Sequence, residues 1–205
     1  MKNQIRRVLL CTEVIVFGSW LYAQEVPLSA QVHQRTDVIV NGKVVKSLAA
    51  DETFYRDSDG STLSLPAEGH GSNGTLWDNK TGTAYRLNHE NLTAYENPNS
   101  PHRPNPKGYP PAAKWPDDAV EGIPCKVVPV NVISAPGTPY AKSTTPGSAC
   151  VSGELDLELK SDFTIETGSG TTEHHVKELH NIKVNADLDP ALFDVHKYTI
   201  HNAKN

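Results

Sequence analysis

The densest group of side chains that could bind a metal lies near the C-terminus, at His174, His175, Glu178 and His180. Of these, His174, Glu178 and His180 are separated by even numbers of residues. Imidazole and carboxylate groups are common zinc ligands, and residues an even number of positions apart share one face of a β-strand. If this segment is a strand, a metal-dependent hydrolase is one hypothesis for the protein. The competing interpretation is that these residues only solvate an exposed strand face. The intervening Leu179 departs by one residue from a known zinc-enzyme spacing, His-x-x-Glu-His.

Two cysteines, Cys125 and Cys150, lie well beyond the N-terminal segment that contains Cys11. An even pair of cysteines in an exported chain indicates one disulfide. The bridge would close a loop of about 25 residues, which the chain-entropy relation values at roughly 3.5 kcal/mol. The alternative, a redox-active pair, lacks the Cys-x-x-Cys spacing that lowers the pKa of a thiol. The sequence therefore predicts a structural disulfide.

Two loops resemble ligand-binding motifs but are better explained as turns. Residues Gly69–Gly74 fit the dinucleotide pattern G-x-G-x-x-G, yet the sequence that follows is typical of a strand and not of the helix that the motif needs. The Asp57–Gly60 segment brings two carboxylates together as calcium loops do, but its glycine comes fourth instead of sixth. We interpret both as hairpin loops, and no cofactor is predicted.

The first 23 residues have the layout of a secretory signal peptide. Lys2, Arg6 and Arg7 precede an apolar stretch, Val14–Ala23, that ends in a small residue. Glu13 departs from the usual pattern, so an uncleaved anchor or a buried cytosolic helix are the alternatives. The prediction is a cleaved leader, residues 1–23, with no transmembrane anchor in the mature chain and a periplasmic or secreted location.

Composition restricts the partners. The chain has 205 residues with 37% hydrophobic and 21% charged residues, and its net charge is −5. Its 19 basic and 24 acidic residues include three basic and one acidic residue in the leader, so 16 and 23 remain and the mature chain carries −7. Nucleic acids and anionic lipids bind clustered cations, so neither is expected as the main partner.

The elements that must position these residues are predicted to be strands. Short segments that alternate apolar and polar side chains are separated by turn sequences, and no amphipathic helix of ten residues is evident. Hairpin turns are expected at Asn41-Gly42, Asp57–Gly60, Asp78–Gly82 and Gly168–Gly170. The prediction is a single mainly β domain, residues 24–205, built as a curved antiparallel sheet or half-barrel with few or no helices. A long proline-rich loop interrupts it at about residues 97–116.

Four segments together carry a resemblance: Phe54–Gly60, Glu121–Cys125, Asn181-Ile182 and Asp189–Phe193. With them, about residues 36–201 resemble a group of uncharacterised bacterial exported proteins rich in β-structure. That group is distantly similar to the half-barrels of periplasmic lipoprotein carriers and of an anti-sigma-factor regulator domain. The chain departs from the group at Ser61, where arginine is common, and at Cys150-Val151, where a Trp-Tyr pair often stands. The resemblance implies fold and compartment, and it transfers no catalytic residue.

The functional expectation is an exported, non-enzymatic module that binds an apolar ligand or a protein partner. It follows from the alternating strands and from the lack of a convincing catalytic set in the sequence. A metal-dependent hydrolase that uses His174, Glu178 and His180, or a structural module of the cell envelope, are the alternatives.

Overall fold

A computed structural model describes residues 25–67, 71–96, 115–129, 147–168 and 170–202. The strands are β1 (Leu28–Val40), β2 (Lys43–Arg56), β3 (Thr62–Pro66), β4 (Asn73–Asp78), β5 (Thr83–Asn88), β6 (Thr93–Glu96), β7 (Asp117–Val120), β8 (Ile123–Pro129), β9 (Ser148–Ser152), β10 (Leu157–Gly168), β11 (Thr171–Val184) and β12 (Thr199–His201). They form one open, curved sheet in the order β12-β6-β5-β4-β3-β2-β1-β11-β10-β9-β8-β7.

The predicted fold class is confirmed. Neighbouring strands pair in antiparallel fashion except β12, which runs parallel to β6. The helical structure within the described residues is limited to two short 3₁₀ helices, Pro190–Phe193 and Val195–Lys197. The predicted leader, residues 1–23, and residues 97–114 of the proline-rich loop lie outside the described residues. No helix in the described part of the chain is long and apolar enough to cross a membrane.

Local turn chemistry produces the hairpins where the sequence predicts them. Asn41 and Gly42 adopt φ angles of 50° and 76°, the left-handed values that a two-residue type I′ turn requires. Asparagine and glycine tolerate these angles better than other residues do. This turn joins β1 to β2.

Pairing between two strands that are distant in the sequence joins the two halves of the sheet. Strands β1–β6 form one meander and β7–β11 a second, and the two meet where β1 pairs with β11. In this register Val32 lies opposite Leu179, and both are buried. They belong to the larger of the apolar clusters, whose buried members are Leu28, Ala30, Val32, Val120, Cys125, Cys150, Leu155, Leu159 and Leu179.

A second apolar cluster lies under the 3₁₀ helices. Its buried members come from β3–β6 and from the C-terminal segment, namely Leu63, Leu76, Tyr85, Leu87, Ala94, Val195 and Tyr198. Asp189 and Asp194 begin the two 3₁₀ helices by accepting the amide N–H groups of Ala191 and His196, each at 2.9 Å. These caps stabilise the first turn of each 3₁₀ helix.

The disulfide between Cys125 and Cys150 is present, as the sequence predicts. It joins β8 to the neighbouring β9 with a Cα–Cα distance of 5.4 Å, and both cysteines are buried in the larger apolar cluster. The bridge thus ties together the two strands that flank residues 130–146.

Arg56 is fully buried at the end of β2, with 0% of its surface exposed. Its Nη1 donates to the carbonyl oxygen of Leu155 at 2.6 Å, and its Nε and Nη2 both donate to that of Val26. The carboxylate of Glu25 lies 3.5 Å from Nη1. One side chain therefore connects the segment before β1 with the turn between β9 and β10.

Gly147 provides a packing prediction. A β-carbon at this position would lie against Phe163 Cβ and 2.8 Å from the carbonyl oxygen of Asp162. We expect Gly147→Ala to lower the free energy of unfolding by about 2 kcal/mol, because the backbone of β10 must shift to admit a methyl group. Urea denaturation would measure the loss.

The matched control is Gly153→Ala, since a β-carbon there meets nothing within 4 Å. This variant should be neutral or slightly stabilising. Equal losses in both variants would contradict the packing argument.

Candidate functional site

Four strands extend past their neighbours and form what we call the projecting sheet. It consists of Arg35–Val40 of β1, Lys43–Ala50 of β2, Phe163–Gly168 of β10 and Thr171–Val176 of β11. These segments pair with one another in the order β2-β1-β11-β10. β3 pairs with β2 only from Glu52 onward, and β9 pairs with β10 only as far as Asp162. The projecting sheet is thus a four-stranded extension of the main sheet, and it begins beyond the residues of the two apolar clusters.

One face of the projecting sheet carries a polar network around Asp37. Asp37 is only 8% exposed, and its carboxylate accepts the hydroxyl proton of Ser47. Arg35 Nε lies 3.2 Å from the other carboxylate oxygen, and His174 Nδ1 lies 4.0 Å from it. His174 Nε2 is in turn 2.8 Å from Asp162 Oδ1. Cross-strand neighbours therefore satisfy the buried carboxylate, as a buried charge requires.

Glu178 and His180, the other two predicted metal ligands, lie further along β11. The imidazole of His180 is 3.9 Å from a Glu178 oxygen and 3.8 Å from Glu121. The ring of His33 packs edge-on against that of His180, with 5.2 Å between the ring centres. These residues form a second polar group, separate from the one around Asp37.

The structure does not bring the three predicted ligands to one point. A strand rises about 3.3 Å per residue, so six residues separate His174 from His180 by about 20 Å. Within the described ranges, no group of three or more histidine, cysteine, aspartate or glutamate side chains is placed to hold a metal ion. The shared strand face inferred from the even spacing is real, but a shared face does not create a common site.

Glu121 makes a long-range contact that the sequence did not predict. Its carboxylate oxygens accept the amide N–H groups of Asn181 and Ile182 at 2.8 and 2.9 Å, and these bonds hold the pKa of Glu121 below its ordinary value. Glu121 sits in the turn between β7 and β8, 60 residues from Asn181 in the chain. Its partners lie at a break in the alternation of β11, where Asn181 has a φ of 52°. No local signal in the sequence marks such a contact.

A cavity of about 560 Å³ opens beside the turn between β2 and β3. Its walls combine that turn, the turn after β4 and the C-terminal 3₁₀ segment. Five of the lining residues are aspartates and the others include one lysine, one histidine and several apolar side chains: Asp57, Asp59, Asp78, Asp187, Asp194, Lys80, His196, Pro27, Leu188, Pro190, Phe193 and Val195. The cavity is therefore acidic in character.

The two carboxylates that suggested a calcium loop are engaged in building the turn. Asp57 Oδ1 accepts the amide N–H groups of Asp59 and Ser61 at 3.1 and 2.9 Å. Asp59 accepts from the amide and the hydroxyl of Ser61, and its other oxygen lies 2.6 Å from Lys80 Nζ. This arrangement agrees with the hairpin-turn interpretation.

The two aspartates titrate in opposite directions. Burial is the main cause that raises the pKa of Asp57 to about 6, and the hydrogen bond and negative charge of Asp59 add to it. Burial also acts to raise the pKa of Asp59, but hydrogen bonds with Asp57, Lys80 and Ser61 outweigh it and hold that pKa below its ordinary value. At neutral pH the turn thus contains two negative charges, one of which is unfavourable to the folded state.

This asymmetry predicts a pH effect for Asp57→Asn. Because the pKa of Asp57 is higher in the folded state, its contribution to stability is complete below about pH 4 and is lost as the pH rises through about 6. An asparagine oxygen can still accept both amide protons but never ionises. We expect the variant to gain stability relative to the wild type between about pH 4 and pH 7.5, measured as the difference in urea midpoint.

Glu90→Gln, which removes an exposed carboxylate from another turn, is the control and should show no such trend. A stability difference between Asp57→Asn and the wild type that is constant with pH would refute the assignment.

Among the described residues the projecting sheet has two open sides, the outer edge of β10 beyond Asp162 and the outer edge of β2. Among the described residues, no strand pairs with Lys43–Ala50 on the side away from β1. The last contact on that side is the amide N–H of Ala67, which donates to the carbonyl oxygen of Asp51 at 2.8 Å. We call Lys43–Ala50 the β2 edge.

The β2 edge is also unusually apolar for an exposed strand. Val44, Val45 and Leu48 are 58%, 60% and 51% exposed, and every side chain from Lys43 to Ala50 is exposed. Exposed strand edges with apolar side chains invite pairing with another chain, and proteins commonly guard them with lysines and bulges. Here Lys43, Lys46 and a bulge at Val45 are the only such features. The β2 edge is therefore an exposed apolar strand edge of the kind that can pair with another chain.

Comparisons with known proteins found similar solved structures but no family. No family model matches the chain, and no curated protein matches it. A LolA-superfamily protein from Nitrosomonas europaea aligns with 84% of this chain and 91% of its own, with a TM-score of 0.42 and 11% identity. MucB aligns with 84% of this chain and 58% of its own, with a TM-score of 0.46 and 13% identity.

A DUF1329 family protein from Desulfovibrio piger aligns with 81% of this chain and 89% of its own, with a TM-score of 0.37 and 11% identity. Another matching structure is a putative outer membrane lipoprotein-sorting protein domain from Vibrio parahaemolyticus, which aligns with 82% of this chain and 90% of its own, with a TM-score of 0.35 and 8% identity.

Proposed function

We propose that this protein is an exported, non-enzymatic binding module whose protein partner adds a strand to the β2 edge. The observation that supports the proposal is the run of exposed residues, Lys43–Ala50, on a strand whose outer side is open among the described residues. A partner strand there would hydrogen-bond to the main chain, and the exposed apolar side chains would supply contact area. Affinity would come from the backbone and specificity from the side chains on either face.

The chemistry of the cavity favours a protein partner over an apolar ligand. Apolar ligands are bound in pockets lined mainly by apolar and aromatic side chains. The cavity beside the β2–β3 turn contains five aspartates instead. Transfer of an apolar molecule into it would leave those carboxylates partly desolvated, which is unfavourable.

Export is supported by the disulfide. Cys125 and Cys150 are joined in the structure, and stable structural disulfides form in oxidising compartments. The predicted leader, residues 1–23, provides the route. We therefore place the proposed binding event in the periplasm or outside the cell.

The polar network around Asp37 agrees better with a structural role than with catalysis. Ser47 donates its hydroxyl proton to Asp37 and not to a histidine, and His174 bridges towards Asp37 and Asp162. A nucleophilic serine needs a base that accepts its proton and is itself held by a third group. The carboxylate of Asp37 is instead the centre of the network, which stiffens the projecting sheet.

The proposal is tested with Ala49→Pro. The main-chain N–H of Ala49 points to the open side of β2, since it repeats the direction of Asp51 two residues later. Proline there removes a donor from the β2 edge while the pairing with β1 is kept. Purified protein is immobilised and exposed to increasing amounts of envelope extract from the producing cells.

We expect saturable binding to the wild type and at least about a tenfold loss of affinity for Ala49→Pro, which corresponds to about 1.4 kcal/mol. Ala49→Ser keeps the N–H group and is the matched control, with binding equal to the wild type. No saturable binding, or binding that Ala49→Pro leaves unchanged, would overturn the proposal.

A further inference from the structure

We infer that the strand added at the β2 edge belongs to a second copy of this chain, so that the protein forms a symmetric dimer with one continuous sheet. The inference rests on the function proposed above and names the partner. Antiparallel pairing of two identical edges has two-fold symmetry, and each β2 edge then covers the other. The choice of occupant follows from the direction of the peptide groups, from the limits of the edge and from its charges.

The direction of the peptide groups restricts where the two-fold axis can lie. The Asp51 carbonyl oxygen faces the open side, because it accepts the amide of Ala67. Main-chain groups of alternate residues point the same way in an antiparallel strand, so those of Ala49 and Ser47 also face the open side. The bulge lies at Val45 and does not interrupt this stretch. Two copies can therefore exchange hydrogen bonds symmetrically about Ser47 or Ala49, or about Lys46 or Leu48, which lie between outward-facing residues.

The C-terminal end of the open stretch of β2 decides which of these positions the two-fold axis can take. An axis at Ala49 would place Asp51 opposite Ser47 of the second copy, but the outer side of Asp51 is already occupied by Ala67. An axis at Leu48 would end the symmetric pairing at residues 46 and 50. An axis at Ser47 lets the whole open stretch pair, because three positions lie on either side of Ser47 when Val44 and the bulged Val45 count as one position. Val45 and Val44 then lie near Ala49 of the second copy, which covers two of the exposed apolar side chains.

The charges of the edge agree with the axis at Ser47. The cations of the edge, Lys43 and Lys46, lie on the N-terminal side of Ser47, and the carboxylates of Asp51 and Glu52 follow it in the same strand. Antiparallel pairing brings Lys43 level with Ala50 and Asp51 of the second copy, since the bulge takes up one residue. Opposite charges in cross-strand positions stabilise a pair, whereas an axis at Lys46 would set two lysines against each other. The charges of β2 are thus complementary to those of a second copy of β2 that runs antiparallel to it.

The first test traps the pair covalently. Directly opposed residues in a hydrogen-bonded antiparallel pair have Cα atoms about 5.5 Å apart, which is within the range that a disulfide spans. Ser47→Cys should therefore give a disulfide-linked dimer in the purified full-length protein under mild oxidation. Ser58→Cys, an exposed serine in the β2–β3 turn, is the matched control and should stay a single chain on non-reducing gels.

The second test measures association without a crosslink. In sedimentation equilibrium the wild type and Ala49→Ser should have twice the mass of the chain, and Ala49→Pro should have the mass of one chain with an unchanged far-UV circular dichroism spectrum. Lys43→Glu should raise the dimer dissociation constant about tenfold, because two cross-strand attractions become repulsions.

The outcomes separate this inference from the proposed function. A wild type that sediments as a single chain at its highest soluble concentration, or equal crosslinking of Ser47→Cys and Ser58→Cys, would overturn the dimer. If the wild type is a single chain but binds another envelope protein through a contact that Ala49→Pro abolishes, the dimer is refuted and the proposed function stands. If Ala49→Pro changes neither mass nor binding, both fail.

Discussion

Replacing the buried Arg56 with methionine should lower the free energy of unfolding by about 3 kcal/mol, the largest loss that we expect from a single substitution. Arg56 has no exposed surface and donates to the carbonyl oxygens of Val26 and Leu155. Methionine fills part of the volume but donates no hydrogen bond. The two carbonyl oxygens would lose a charged donor in a buried setting, and the carboxylate of Glu25 would lose a positive charge 3.5 Å away.

The control for Arg56→Met is Arg86→Met, because Arg86 lies in β5 with its side chain exposed. Both substitutions remove a guanidinium from a strand of the same sheet, so their difference isolates the contribution of burial. Urea denaturation of the two variants at neutral pH gives the comparison. A loss below about 1 kcal/mol for Arg56→Met would mean that the three interactions contribute little to the folded state.

Removing the disulfide should lower the free energy of unfolding by about 3.5 kcal/mol. The bridge between Cys125 and Cys150 spans 25 residues, and the two cysteines lie in the larger apolar cluster. Without the covalent link the unfolded chain gains conformational freedom, whereas the folded state loses little packing if alanine replaces both cysteines. The measurement is a urea titration of the double variant Cys125→Ala, Cys150→Ala.

Reduction of the wild type provides the control for this double variant. The reduced protein keeps both sulfur atoms in place, so any excess loss in the alanine variant reports packing and not chain entropy. We expect reduction alone to account for most of the loss. A reduced protein with the same urea midpoint as the oxidised one would refute the role assigned to the bridge.

The hairpins were predictable because their signals are local. Asn41-Gly42 specifies a two-residue turn through the φ angles that these residues tolerate, and alternation on either side specifies two strands. The same reasoning located the turn at Asp57–Gly60, whose carboxylates bind amides two and four residues away. Interactions within a few residues of the chain are encoded where they occur.

The disulfide was predictable for a different reason. When Cys11 is set aside with the predicted leader, two cysteines remain and only one pairing is possible, so no geometric information is needed. Even spacing was not enough to predict a common metal site for the histidines, because it does not measure their distance along a strand. His174 and His180 share a face of β11, yet they interact with different carboxylates, Asp162 and Glu121.

The buried role of Arg56 had no signal in the sequence. Arginine is rarely buried. Its partners here are main-chain oxygens, which every residue type has, so the sequence does not indicate which residues accept the hydrogen bonds. Its contact with Leu155 joins positions 99 residues apart. The open β2 edge likewise depends on how far β3 extends along β2, which is a property of the register and not of the residues of β2.

By itself, the sequence determined the β class, the places of the turns, the disulfide and an expected export signal, since each depends on short-range backbone preferences or on residue counts. Only the tertiary structure decided that β1 pairs with β11, that Arg56 and Glu121 anchor distant segments, and that Lys43–Ala50 forms an open edge. Alternation along a strand specifies which side chains share a face. It carries no information on which strand lies alongside, because main-chain hydrogen bonds are chemically the same for every pair.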